Sequence, residues 1–100
     1  MQGRAASAMT SRTVTVVNQL GLHARAAARF VHLATRFDSQ IRVGRDQKLM
    51  DGKSIMGILL LAAARGTLLT ISADGPDEQA AVDALTELVS AGFGEETWNG

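Results

Sequence analysis

The segment Gly21-Leu22-His23-Ala24-Arg25 sets a histidine at the junction of an expected strand and an expected helix, with an arginine two residues on. The first N–H groups of a helix have no intrahelical acceptor, and the positive end of the helix dipole lies beside them, so an anion is favoured there. The guanidinium of Arg25 can clamp phosphate oxygens in a fork geometry. A neutral imidazole is a nucleophile, so His23 is a candidate acceptor for the phosphoryl group that such a site would hold. Other chemistries fit less well. His32 lies about 180° around the helix from His23 at 3.6 residues per turn, and the chain has no cysteine, so no metal site is expected. No acid lies near His23 in the sequence and there is no nucleophile-elbow motif, which sets hydrolysis by a Ser-His-Asp triad aside. Glycine loops of the Walker or dinucleotide-binding type are missing, and no cofactor is expected.

These residues need elements to hold them. Val14 and Val16 alternate with threonines over 13–17, a β-rich stretch bounded by Asn18 and Gly21, which predicts a strand leading to the histidine. From 24 to 37, apolar residues recur at 27, 30, 31, 34 and 37, while Arg25, Arg29, His32 and Arg36 occupy the opposite stripe. That spacing predicts an amphipathic helix with a cationic outer face. Ile41 and Val43, then Leu49, flank Gly44-Arg45-Asp46-Gln47 as a hairpin. Ser54 is an expected N-cap for a second helix over 54–64, with Gly66 just past its end. A strand over 67–73 follows, then a helix opened by Pro76 and Asp77, with apolar positions 81, 82, 85, 88 and 89 and a stop at Gly92. The order is βαββαβα, an α+β domain with one sheet and helices on one face.

The second helix spreads Ile55, Met56, Ile58, Leu59, Leu60 and Leu61 around its circumference instead of along one stripe. Only one face can meet the sheet, so part of the set Ile55, Met56 and Leu59 is expected to stay exposed as a docking patch. Methionine suits such a patch because its flexible side chain adapts to different partners. All ten Lys and Arg lie in residues 1–65 with three acids, and residues 66–100 hold seven acids and no base, giving +7 and −7. A split of this kind suggests a basic surface for an acidic partner or an anion. Nucleic acid is disfavoured as that partner, because the basic helix contains only Phe30 and Phe37, both at core spacing.

With 100 residues, 46% of them hydrophobic and 20% charged, the composition is that of one globular domain, and its four aromatics leave the core to Val, Ile, Leu and Ala. The absence of cysteine rules out disulfides and thiolate sites and fits a cytoplasmic location. The longest apolar run, 58–64, is far short of the roughly 18 residues that span a bilayer, so no membrane insertion is expected. Residues 1–11 read as a tail without the apolar core of a secretory signal, with Met9 as an alternative start.

The stretches Gly21-Leu22-His23-Ala24-Arg25, Lys53-Ser54-Ile55-Met56-Gly57 and Gly92-Phe93-Gly94-Glu95, in that order and spacing, resemble the HPr family of histidine-containing phosphocarriers of the bacterial phosphotransferase system. The resemblance covers about residues 12–95, leaving tails at 1–11 and 96–100. It implies a two-layer open-faced β-sandwich, a four-stranded antiparallel sheet covered on one face by three helices. It also implies a monomeric carrier without catalytic turnover of its own. By the same resemblance His23 accepts a phosphate on Nδ1 from enzyme I, charged by phosphoenolpyruvate, and passes it to an enzyme IIA domain, while Arg25 steadies it. Ile55, Met56, Leu59 and Arg29 match docking positions, and Ser54 matches a regulatory serine modified by a kinase/phosphorylase in many lineages. The sequence departs from the commonest motif at Ala26, where proline usually follows the arginine. Alanine there is similar to the nitrogen-related branch and to several proteobacterial carriers, so a regulatory relay stands beside sugar uptake. An interaction module that is never phosphorylated is the alternative from another class.

Overall fold

Side chains of a strand alternate between its two faces, and here the alternation decides which face is buried. The computed structural model describes residues 9–97, with side chains to residue 95. Val14 of β1 (Thr10–Thr15), Ile41 and Val43 of β2 (Gln40–Arg45), and Leu69, Ile71 and Ala73 of β4 (Leu68–Asp74) are at most 9% exposed. With the short β3 (Lys48–Asp51) these form, among the described residues, one antiparallel sheet in the order β1-β4-β2-β3. Val14 stands opposite Leu69 and Val43 opposite Ile71, so the apolar rows coincide across the strands. The helices α1 (Ala24–Ala34), α2 (Ile55–Leu60) and α3 (Glu78–Ser90) cover that face. The other face, with Thr13, Arg42 and Thr70, is exposed. The order βαββαβα and the open-faced two-layer architecture are those expected from the sequence.

The helical periodicity holds in detail. Ala26, Ala27, Phe30, Val31 and Ala34 form the buried face of α1, and Ala81, Val82, Leu85 and Val89 that of α3. Phe30, Phe93, Leu85 and Ile58 are among the largest fully buried side chains, each worth about 1.5–3 kcal/mol of burial. Leu33, Phe37 and Leu88 pack partly buried against the same core.

Element ends differ from the expected ones wherever a remote group intervenes. β1 starts at Thr10, three residues early, so Thr10 and Ser11 belong to the sheet and not to a tail; Thr10 Oγ1 donates to Glu78 Oε2 at 2.7 Å. Residues 1–8 and 98–100 of the expected tails lie outside the described residues. α1 stops at Ala34, short of Phe37, where Thr35 Oγ1 donates to the His32 carbonyl and Lys53 Nζ donates to the Phe37 carbonyl. α2 stops at Leu60 and not near 64: Ala62 adopts φ 50°, and the Arg45 guanidinium takes the carbonyls of Leu61 and Ala62 at 2.8 Å each. The hairpin turns at Asp46 (φ 54°), which leaves Gly44 and Arg45 inside β2. Asp77 caps α3 without a side-chain bond to that helix; its carboxylate instead accepts the amides of Asp38 and Ser39 and the Ser39 hydroxyl.

Candidate functional site

The loop from β1 to α1 is shaped by backbone contacts that leave almost no room. Leu22 N–H donates to the Ala63 carbonyl at 2.9 Å, Val16 N–H to Thr67, and Gly66 N–H back to Val16, so the loop lies against the segment that follows α2. Gly21 has φ +67°, and a Cβ there would stand 2.5 Å from the Ala63 oxygen, so both conformation and space require glycine. Asn18, 6% exposed, donates through Nδ2 to the Gly21 carbonyl at 2.8 Å and ties the loop to itself. His23 then caps α1 with φ −78° and ψ 180°.

Both nitrogens of His23 are engaged. Nδ1 accepts the Arg25 backbone N–H at 3.2 Å, so Nδ1 carries the lone pair and Nε2 the proton. Nε2 donates that proton to Glu95 Oε2, and the other carboxylate oxygen, Oε1, accepts from Asn18 Nδ2 at 2.9 Å. Glu95 arrives from the far end of the chain. It sits in a short 3₁₀ segment (Gly92–Thr97) in which Phe93 is fully buried with φ 56° and Gly94 has φ 75°. These two left-handed residues turn the backbone so that an anchored phenyl ring is followed by a carboxylate under the imidazole. Burial pushes the Glu95 carboxyl up, but hydrogen bonds from His23 and Asn18, with the electrostatic attraction of the imidazole N–H and the Arg25 guanidinium, outweigh it and hold the group below the usual range.

The sequence reading placed His23 and Arg25 together, and the structure does so. It did not single out Asn18, Glu95 or Phe93. Glu95 stood within a quoted motif without a role, and the only available signal was the dipeptide Phe93-Gly94 before an acid. The arrangement offers an Nδ1 that accepts the Arg25 amide at the start of the helix, a carboxylate behind the ring, and the Arg25 side chain, which is exposed. Among the described residues no group of three His, Asp or Glu lies close enough to hold a metal, and no helix is long and apolar enough to cross a membrane.

Comparison with known proteins decides between a generic anion site and a phosphocarrier. The family described as PTS HPr component phosphorylation site matches residues 10–91. The chain belongs to the HPr family. It is 49% identical over 87 residues to phosphocarrier protein HPr of Cupriavidus necator, covering 87% of this chain and 98% of that one. The Pseudomonas putida HPr is 50% identical over 88 residues, with the same two coverages. The crystal structure of HPr-C-His from Thermoanaerobacter tengcongensis superposes with a TM-score of 0.82 at 45% identity, covering 85% of this chain and 96% of the other. The protein is thus an HPr phosphocarrier of the phosphotransferase system, a carrier and not a catalytic enzyme.

The remaining expected HPr positions fall in two places. Ser54 caps α2, with its Oγ accepting the Gly57 N–H at 3.0 Å. Ile55 and Met56 follow, 45% and 65% exposed, and Arg29 is exposed on α1, which packs beside α2. Of the three apolar residues in that set, Leu59 is the half-buried one, packed against the core, and the neighbouring Leu60 is 54% exposed. Leu20, 70% exposed in the histidine loop, is a further apolar surface residue that the sequence reading passed over. Ala26 is fully buried in the first turn of α1.

Proposed function

We propose that His23 is the phosphoacceptor, that Nδ1 is the atom modified, and that the phosphate comes from phosphorylated enzyme I and goes to an enzyme IIA domain. The observation that carries this reading is the Nδ1 lone pair pointing at the Arg25 amide at the start of α1. A phosphoryl group on Nδ1 displaces that amide from nitrogen, and its oxygens become the acceptors for the same N–H and for the Arg25 guanidinium. Arg29, Ile55 and Met56 receive the partners, the charge meeting acidic groups and the apolar pair supplying contact area. The carrier works in the cytoplasm as a monomer, in sugar uptake or in a regulatory relay of the kind that Ala26 suggests. Ala26 retains an N–H that proline lacks, so the first turn offers one donor more than in the commoner motif.

Ser54 fits a regulatory role exercised through docking. Phosphate oxygens can accept the Gly57 N–H as Oγ does now, so α2 persists, while about −1.5 to −2 charges appear beside Ile55 and Met56. A kinase/phosphorylase acting here would weaken docking without unfolding the helix.

The test is to mix the protein with enzyme I, phosphoenolpyruvate and Mg²⁺ and record the intact mass. One acid-labile phosphate, missing in His23→Ala, is the expected result. A phosphate that persists in His23→Ala, or none in the wild type with enzyme I of the same organism, overturns the reading and leaves an interaction module.

A further inference from the structure

We propose that Arg45 is a positioning residue for phosphotransfer: by holding the carbonyls of Leu61 and Ala62 it fixes the Ala63 carbonyl on which the histidine loop hangs. This rests on His23 being the phosphoacceptor. Helix α2 is six residues long and its last turn carries no basic residue, so its final carbonyls need donors from outside the helix. Arg45, the last residue of β2, supplies them. Its Nη1 donates to both carbonyls at 2.8 Å, and its Nε stands 3.3 Å from Asp46 Oδ2. A guanidinium is planar and keeps its donors in fixed directions, so the two carbonyls are set relative to the sheet. Lys48 reaches the Leu60 carbonyl from β3 at 3.4 Å, a longer contact made by a flexible point charge.

The consequence lies one residue further on. Ala62 is exposed, yet it holds φ 50°, a left-handed conformation that an L-residue rarely adopts and that persists only where its surroundings impose it. The two carbonyls bonded to Arg45 belong to the peptide planes on either side of the Ala62 Cα, so the guanidinium clamps the two rotations that define this conformation. Ala63, which is buried, then presents its carbonyl to the Leu22 N–H at 2.9 Å, and its oxygen takes the space a Gly21 Cβ would need. Leu22 precedes His23, whose Nδ1 accepts the Arg25 N–H at 3.2 Å. Relaxation of Ala62 to an ordinary backbone conformation moves the Ala63 oxygen, and Leu22 and His23 move with it. Transfer depends on where Nδ1 sits, and a displacement of about 1 Å at a reacting atom costs up to about a hundredfold in rate.

The experiment compares wild type, Arg45→Met, Arg45→Lys, Lys48→Met and His23→Ala in transfer from phosphorylated enzyme I well below each melting midpoint, with amide hydrogen exchange at Leu22 and Ile71. Arg45→Met keeps the apolar stem and removes every donor, and Arg45→Lys keeps the charge without the fork. Lys48→Met removes the same charge from the same helix end and controls for a purely electrostatic effect. In Arg45→Met, the exchange rate of Leu22 is expected to rise at least about tenfold more than that of Ile71, a central-strand amide that reports global unfolding. In the same variant kcat falls about three- to tenfold with KM within about twofold, which a loss of stability alone would not produce. Arg45→Lys lies between it and the wild type, and Lys48→Met matches the wild type in both readings. Wild-type kcat in Arg45→Met, slower transfer with Leu22 gaining no more than Ile71, or an equal loss in Lys48→Met overturns the inference. Where Arg45→Met does not fold, Arg45→Lys decides by the same two readings. Phosphorylation that survives His23→Ala overturns instead the acceptor assignment beneath it.

Discussion

Replacing Gly21 by alanine tests how the histidine loop is held. Two separate penalties act at this residue. With φ +67°, a left-handed conformation costs an L-residue about 1–2 kcal/mol. The new Cβ would stand 2.5 Å from the Ala63 oxygen and 3.0 Å from the Ala64 Cα. Both neighbours are backbone and cannot swing aside, so the loop must shift and stretch the Leu22 N–H to Ala63 bond, now 2.9 Å. That bond is worth about 1 kcal/mol and the overpacking about 1–3 kcal/mol. Loss of glycine's freedom in the unfolded chain returns about 0.4–1 kcal/mol. The net is about 4 kcal/mol, or roughly 15–30 °C in melting temperature for a domain of this size. Gly66→Ala is the matched control, because its φ is +92° and no atom lies within 4 Å of the added Cβ. It carries only the conformational penalty of about 1–2 kcal/mol, less the same return of about 0.4–1 kcal/mol. Thermal unfolding followed by circular dichroism, with phosphotransfer assayed well below each midpoint, gives both readings. Gly21→Ala is expected to lose more stability than Gly66→Ala and, unlike it, to transfer slowly, because His23 is two residues from the shifted point. Equal losses in the two variants would refute the steric reasoning.

Three further outcomes follow from other parts of the molecule. Asp77 is held below its ordinary 3.8 by the Ser39 hydroxyl and the Asp38 amide against the effect of burial, and Glu78 below 4.5 by the Thr10 hydroxyl and the Gly75 amide. Each carboxylate binds fewer protons folded than unfolded, so its contribution is complete above the unfolded pKa and is lost as pH falls through the folded one; Asp77→Asn should melt lower at pH 7 and show a flatter midpoint between about pH 5 and pH 2. Ser54→Ala loses the cap on Gly57 and about 1 kcal/mol, measured by denaturant unfolding, whereas Ser54→Asp keeps a cap acceptor and its stability but raises KM for phosphorylated enzyme I several-fold. Met56→Asp, at a residue 65% exposed, should change stability by less than about 0.5 kcal/mol and raise that KM about tenfold, as judged from initial rates.

How much of this was legible in the sequence depended on distance along the chain. His23 and Arg25 are read together because one helix turn holds both, and strand alternation exposed Val14, Ile41 and Val43 as core. The end of α2 was not legible, because Leu61, Ala62 and Ala63 continue an apolar run and the terminating carbonyl partner, Arg45, lies sixteen residues away. Glu95 was hidden for a stronger reason. It is 72 residues from His23, and only burial of Phe93 in a left-handed turn brings it under the ring. The sequence shows no acid near His23, and the fold supplies one.

That separation has a functional consequence. The imidazole is held from two sides by parts of the chain that lie far apart in sequence: the first turn of α1 on Nδ1, and the segment Gly92–Thr97 on Nε2. Partner contacts, in the proposed reading, lie on a third part, Arg29 and the start of α2. Changes in the C-terminal segment therefore act on the rate of the chemical step with docking intact, and changes at Ile55 or Met56 act on docking with the chemical step intact. Glu95→Gln combined with Met56→Asp should thus lower kcat/KM by the product of the two single effects, since the groups share no hydrogen bond. A double variant no slower than Glu95→Gln alone would mean that Met56 reaches the same step, and that docking and ring orientation are one device and not two.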